Sequence, residues 1–162
     1  MAPTSTSLTV AAAASILASG WAAGLGASFS MFSIPMIVNS GASSEVMVRQ
    51  WQFMFYRGQM LVPTLGVINA INYFTVAYNL RSAGVEWRGF AAAGASTFFI
   101  IPYTLTFIAG VNQKLIAASE SRDKALSDAA AQSLIAQWGD LNVLRVIVPM
   151  IGTGLALWNF CL

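Results

Sequence analysis

Charge is withheld from four long stretches of this chain, and that spacing constrains its fold more than any motif does. Residues 1–44 carry no charged side chain, the first being Glu45. Gly58 to Leu80 (23 residues), Gly89 to Gln113 (25) and Val146 to Leu162 (17) are likewise uncharged. A bilayer core about 30 Å thick is crossed by about 20 helical residues rising 1.5 Å each. A charge at its centre costs on the order of 3 kcal/mol on insertion scales, so runs of this length are selected features. The spacing predicts an all-α fold, an integral membrane four-helix bundle forming a single domain over 1–162. Its spans are expected near 8–37, 58–80, 89–113 and 141–161, with short additional interfacial helices near 44–57 and 123–138.

Composition closes off the main alternatives. Only 9% of the 162 residues are charged, against about 25% in an ordinary soluble domain. That is too few to coat a globule, which excludes a soluble enzyme. The net charge is only +2 and no basic cluster exists, which excludes a nucleic-acid partner. Histidine is absent and the lone cysteine is Cys161. His-ligated haem, most catalytic zinc sites, a Ser-His-Asp triad and an intrachain disulfide go with them. The opening apolar run has no Lys or Arg before it and exceeds a signal-peptide core in length, so it is expected to stay as a span. With four spans, Arg81 and Arg88 lie on the side of the termini. Arg49, Arg57, Lys114, Arg122, Lys124 and Arg145 lie on the other, which predicts a cytoplasmic location for the two longer connections.

Polar residues within the apolar runs mark the places that lipid cannot satisfy. In the first span Gly20, Gly24 and Ser28 recur at steps of four, a small-residue surface for close helix packing. Pro35 then ends or kinks that helix, and Asn39-Ser40-Gly41 turns the chain. A new helix begins at Ser44, with Glu45 and Arg49 paired at i,i+4. Trp51, Gln52, Tyr56, Arg57 and Gln59 distribute aromatic and polar groups around all its faces, unlike the single apolar stripe of a surface helix. In the second span, Asn69, Asn72 and Tyr73 require partners, either as glue between helices or as the wall of a polar pocket. Pro102 cannot donate to the Phe98 carbonyl and predicts a kink beside Tyr103 and Thr104. Before the last span, Trp138, Asn142, Arg145 and Pro149 share one helical face, which is not a lipid-facing pattern.

The order of these pieces resembles the fungal anthrone oxygenases, within a wider group of small four-span membrane proteins. The resemblance runs along nearly the whole chain. It includes Gly24-x3-Ser28-Phe29-Ser30-x4-Pro35 and Arg49-Gln50-Trp51-x3-Phe55-Tyr56-Arg57-Gly58. It continues through Ile101-Pro102-Tyr103-Thr104-x7-Asn112-x2-Leu115 and Trp138-x2-Leu141-Asn142-x2-Arg145. Where some relatives place histidine, this chain has Gln59 and Asn142.

The resemblance implies oxidation of a flat, hydrophobic, phenol-bearing anthrone to the anthraquinone by molecular oxygen, in aromatic polyketide biosynthesis. It also implies an internal membrane such as the endoplasmic reticulum, with self-association into a homo-oligomer left open. On this reading Arg57 and Arg145 stabilise a substrate enolate in one interhelical space, and Asn142 and Asn112 orient it. Trp51, Tyr56, Gln59, Asn69, Tyr103 and Trp138 complete the substrate site. Neither Glu45 nor Asp140 falls on a proposed pocket face, so no general base is assigned. Three readings stand beside this one: Arg57 and Arg145 as interface anchors with Trp51 and Trp138 as belt residues, a small channel or transporter, and a non-catalytic tetraspan scaffold. Because no ligand set for iron or copper and no dinucleotide fingerprint occurs in the sequence, the expected cofactor is none. Active purified protein is expected to turn over without added metal, haem or flavin. A stoichiometric transition metal or chromophore in metal analysis and absorption spectra would overturn that expectation.

Overall fold

The structure, a computed structural model, describes residues 5–120 and 125–161. Among them every regular element is helical and no strand occurs. Four helices are long and apolar enough to cross a membrane: α1 (Thr6–Val38), α2 (Ser44–Ser82), α3 (Arg88–Glu120) and α4 (Asp128–Cys161). Large apolar side chains such as Leu17, Met31, Phe53, Met60, Leu105 and Trp158 are exposed, an inside-out distribution suited to lipid rather than water. The chain is therefore a multi-pass membrane protein.

The short helices expected near 44–57 and 123–138 are not separate elements. The first runs without a break into the second span as α2, 39 residues long, or about 58 Å at 1.5 Å per residue. The lone Gly58 between them does not interrupt the backbone ladder, and a Cβ there would make only ordinary contact with the Phe29 ring, at 3.4 Å. The second joins α4, which begins at Asp128, while positions 123 and 124 lie outside the described residues. Asp128 Oδ1 accepts the backbone N–H of Ser44 at 2.6 Å and so fastens the start of α2. The expected Glu45–Arg49 pair closes at 2.8 Å on the exposed first turns of that helix.

Prolines act differently from a simple break. Pro35 does not end α1, which continues to Val38 and stops at Asn39-Ser40, with Gly41 at φ +68° making the turn. Instead α1 widens into a π-helical turn at Phe29–Ser33 just before Pro35, and α3 into another at Thr104–Ile108 just after Pro102. A proline lacks the N–H that an i−4 carbonyl needs, and one inserted residue is a common way to accommodate the misfit.

The chain divides into two compact units, each built from a stretch of all four helices. Unit 1 comprises residues 1–24, 62–100 and 146–162; unit 2 comprises 25–61 and 101–145. Within unit 1 the packed stripe of α1 is Ala12, Ser15, Ser19 and Ala23. Gly20 and Gly24, expected to be that surface, face open space. Asn69 Nδ2 donates to the Ser15 carbonyl at 3.2 Å and to Ser19 Oγ at 2.6 Å, and the Tyr73 hydroxyl lies 3.0 Å from Ser19 Oγ. Of the two roles left open for these polar residues, interhelical glue is the one they perform. Asn72 is exposed, and Asn79 bonds the Thr75 carbonyl of its own helix.

In the loop before α3, outside the spans, Glu86 accepts the backbone N–H of Arg88 and of Trp87. The bond from Arg88 foremost holds its carboxyl below the usual glutamate range. That contribution is present at neutral pH and is lost as the pH falls through the lowered value.

Close packing in unit 1 gives a paired test. A Cβ on Gly152 would fall on the Ser96 hydroxyl and 2.9 Å from the Ala93 Cα, whereas one on Gly154 would meet nothing within 4 Å. Gly152→Ala is expected to destabilise by about 1–3 kcal/mol through overpacking. Gly154→Ala should be neutral or stabilising by up to about 1 kcal/mol. Thermal unfolding in detergent, with both variants alike, would contradict this packing.

Candidate functional site

Unit 2 holds the residues that the sequence marks for chemistry, and its core is aromatic. Trp51 of α2 is 0% exposed and Trp138 of α4 is 3% exposed. Phe55 stacks on Trp51 with centroids 4.8 Å apart, and Trp138 meets Trp51 edge-on at 6.0 Å. Trp138 Nε1 donates to Asn112 Oδ1 of α3 at 2.8 Å. A buried indole N–H ordinarily finds such a partner. Trp51 Nε1 does not: it is buried with no hydrogen-bond partner.

The turn of α4 that follows Trp138 is held by both π-helical turns. Ser30, in the first, donates to the Gly139 carbonyl at 2.9 Å. Asn142 Nδ2 donates to Ser30 Oγ at 2.9 Å and to the Gly26 carbonyl at 3.0 Å. Gly139 permits this closeness, since a Cβ there would stand 2.8 Å from Ile34 Cγ2. On the other flank Tyr103, beside the second π turn, donates its hydroxyl proton to the Leu141 carbonyl at 2.9 Å. Widened turns recur at functional sites because they redirect side chains and free backbone carbonyls.

Arg145 follows Leu141 by one turn. It is half-buried, its Nε is sealed from solvent without a partner, and its charge is within electrostatic reach of the Tyr103 phenol. No ion pair with a described carboxylate is formed. Thr104 Oγ1, at the head of the second π turn, is also buried and unpartnered.

Trp51, Tyr103, Asn112, Trp138, Asn142 and Arg145 are thus brought together in unit 2. Four sequence candidates are not. Arg57 is exposed, its guanidinium 4.5 Å over the ring of exposed Phe53, so the two arginines do not share one interhelical space. An outward-facing Phe carries it away. Tyr56 is exposed and donates to Glu120 Oε1 at 3.0 Å, and Gln59 is exposed. Asn69 belongs to unit 1 and its glue. Ser30 and Gly139, which set the joint, were legible only as small residues. At the water-facing start of α2 and end of α3, a cleft of about 510 Å³ is lined by Glu45, Arg49, Ser119 and Glu120 over Val48, Ala118 and Leu126. Val48 belongs to the core cluster of Trp51, and Ala118 and Leu126 pack against it. Among the described residues no three Cys, Asp or Glu gather as a metal site.

A four-span membrane protein with a buried aromatic and cation-bearing cluster is an unusual class, and comparison with known proteins places it. The anthrone oxygenase family profile matches residues 51–155, and the chain belongs to that family, an oxidoreductase family. It is 32% identical over 140 residues to monooxygenase hypC of Dothistroma septosporum, covering 84% of this chain and 76% of the relative. It is 28% identical over 132 residues to anthrone oxygenase ptaC of Pestalotiopsis fici, covering 78% and 94%. Against the noranthrone monooxygenase of Aspergillus flavus it is 25% identical over 134 residues, 81% of this chain but only 64% of that protein. No solved structure matches the chain.

The Ser30–Gly139–Asn142 joint is expected to carry stability as well as position. Hydrogen bonds between membrane helices contribute about 0.6 kcal/mol on average and up to about 1.7. Asn142→Ala, which removes two of them, should lower unfolding stability by about 1–2 kcal/mol and Ser30→Ala by less. Equal stability of Asn142→Ala and the parent protein would remove the joint from the argument.

Proposed function

We infer that the chain oxidises an anthrone to the corresponding anthraquinone with molecular oxygen. The observation that carries this reading, beside the family, is Arg145: a half-buried cation with a sealed Nε and no described carboxylate partner. An unpaired charge in such a place costs several kcal/mol, and a bound anion offsets it. The anion that the chemistry supplies is the enolate of the substrate.

The reaction balances without an external reductant. Loss of a proton from the central methylene leaves its electron pair in the enolate, with charge on the carbonyl oxygen. The enolate passes one electron to oxygen, and the two radicals combine into a carbon–oxygen bond, giving a peroxide once protonated. Breaking the oxygen–oxygen bond with loss of the remaining methylene hydrogen yields the quinone and one water. Two substrate hydrogens and one oxygen atom leave as that water; the other oxygen atom stays in the product.

On this reading the protein favours the anion and excludes bulk water. Arg145 meets the oxyanion, and Asn142 fixes the helical turn that aims it. Trp51, Tyr103 and Trp138 wall the rings, with Asn112 fixing the Trp138 indole through its N–H. Among the described carboxylates, Glu45, Glu86, Glu120, Asp128 and Asp140 are exposed, so the chain's part in the step is to stabilise the anion, and the methylene proton passes to water. The substrate class brings an internal membrane with it as the expected location, the endoplasmic reticulum being the foremost candidate.

Arg145→Ala is expected to lower kcat/KM for an anthrone at least tenfold, about 1.4 kcal/mol in barrier, with the protein still folded. Arg57→Ala, whose partner is an exposed Phe ring, should change it far less. Oxygen uptake coupled to quinone absorbance reads both. Near-parental turnover in Arg145→Ala would return that residue to the role of an interface anchor.

A further inference from the structure

Three hydrogen-bond donors are stranded in unit 2: Trp51 Nε1, Thr104 Oγ1 and Arg145 Nε. Buried polar groups are overwhelmingly paired, and leaving one orphaned costs roughly 1–3 kcal/mol. Thr104 shares this state with Thr97 of unit 1, but differs from two other helical threonines. Thr75 and Thr153 return their hydroxyl protons to the carbonyl four residues back, at 2.8 Å each, as helical threonines do. Thr104 heads a widened turn and makes no such bond. The indole of Trp51 is a donor only, and so is the Nε–H of Arg145. Whatever completes this set must therefore offer lone pairs.

The three are also linked through the same aromatic core. Trp51 and Trp138 touch edge-to-face, Arg145 lies two turns beyond Trp138 on one face of α4, and Thr104 adjoins Tyr103, whose hydroxyl binds the turn just before Arg145. Two helical turns rise about 10 Å, which is on the scale of a fused three-ring skeleton. Charge develops at one oxygen of such a substrate, the carbonyl that becomes the enolate. The cation belongs there, and neutral donors suit oxygens that stay neutral.

We propose that Trp51 Nε1 and Thr104 Oγ1 are the specificity determinants of the site, donating hydrogen bonds to the ring hydroxyl oxygens of a phenolic anthrone while Arg145 takes the central oxygen. This rests on the anthrone reading and adds to it which ring substituents are selected and by which atoms. An unsubstituted ring system leaves both neutral donors stranded and is rejected for that reason.

The test uses chemically inert product analogues, so that it does not depend on turnover. Binding of 1,8-dihydroxyanthraquinone and of plain anthraquinone is measured on the protein in lipid nanodiscs, with empty nanodiscs as blank. The variants are Trp51→Phe and Thr104→Val, which remove the donor and keep most of the shape. Each is expected to weaken the dihydroxy ligand about tenfold more than it weakens the plain quinone, the loss of one good hydrogen bond. Ligand-free Thr104→Val should unfold at the same or a higher temperature, because an orphan hydroxyl has been replaced by a methyl of the same shape. Equal loss on both ligands, no loss on either, or a lowered ligand-free unfolding temperature of Thr104→Val overturns the proposal. Anthrone turnover by the parent protein is scored separately. Its absence with the binding pattern intact would sink the oxygenase reading alone, and its presence without the pattern would sink the donor assignment alone.

Discussion

Lipid has no hydrogen bond to offer, and the arrangement of unit 2 follows from that constraint. A helix that departs from its regular ladder inside a membrane must find other partners for the groups it frees. Both departures here, at Phe29–Ser33 and Thr104–Ile108, are flanked by side-chain bonds that reach another helix. Ser30 and Tyr103 each spend a hydroxyl on a carbonyl of α4, at Gly139 and Leu141. Asn142 answers from α4 to Ser30 and to the Gly26 carbonyl. One of these bonds answers the Gly26 carbonyl beside the first widened turn, and together they fix the turn of α4 that leads to Arg145.

Satisfied and stranded groups occur in both units, and what differs is the kind of group left over. The Asn69 amide N–H, Ser19 and Tyr73 close among themselves and Trp138 finds Asn112, while Asn69 Oδ1 and Thr97 Oγ1 of unit 1 are buried without a partner. Trp51, Thr104 and Arg145 are left with donors unmatched. A fold that wanted only stability would place Phe, Val and Met there. Two donor-only groups left over beside each other's aromatic core are what the proposed ligand would satisfy.

Much of this was legible in the sequence. The charge-free runs gave four helical spans, and the Trp138-Asn142-Arg145 face pointed inward as the periodicity required. Tyr103 beside a proline did mark an irregularity. What the sequence hid were features set by packing between distant segments. Nothing local distinguishes Gly139, which admits Ile34, from Gly24, which faces open space. The periodic Gly20 and Gly24 lost to the Ala12, Ser15, Ser19 stripe, where the Ser19 hydroxyl meets both Asn69 and Tyr73. Arg57 resembled Arg145 in sequence, yet helical phase turned it over Phe53, on the outer face. Continuity of α2 through Gly58 follows from propensity, because one glycine weakens a helix by only about 1 kcal/mol, too little to end one that packs well.

The length of α2 has an energetic corollary. A rod of 39 residues outreaches a hydrocarbon layer about 30 Å thick by roughly its own half. Met47, Val48, Leu115, Ala131 and Ile135 cluster in a dry core, while Glu45, Arg49, Lys114 and Asp128 close by in sequence are exposed. With charges exposed this near, water rather than acyl chain borders the outer rim of that core. Between helices in lipid, burial brings no hydrophobic gain. At a wet end it does, and it carries a heat-capacity increment and a urea sensitivity with it. The outermost turns of unit 2 are accordingly held by the cohesion of a water-soluble globule, while Ser30, Tyr103 and Asn142 further along the helices rely on the bonds that lipid demands.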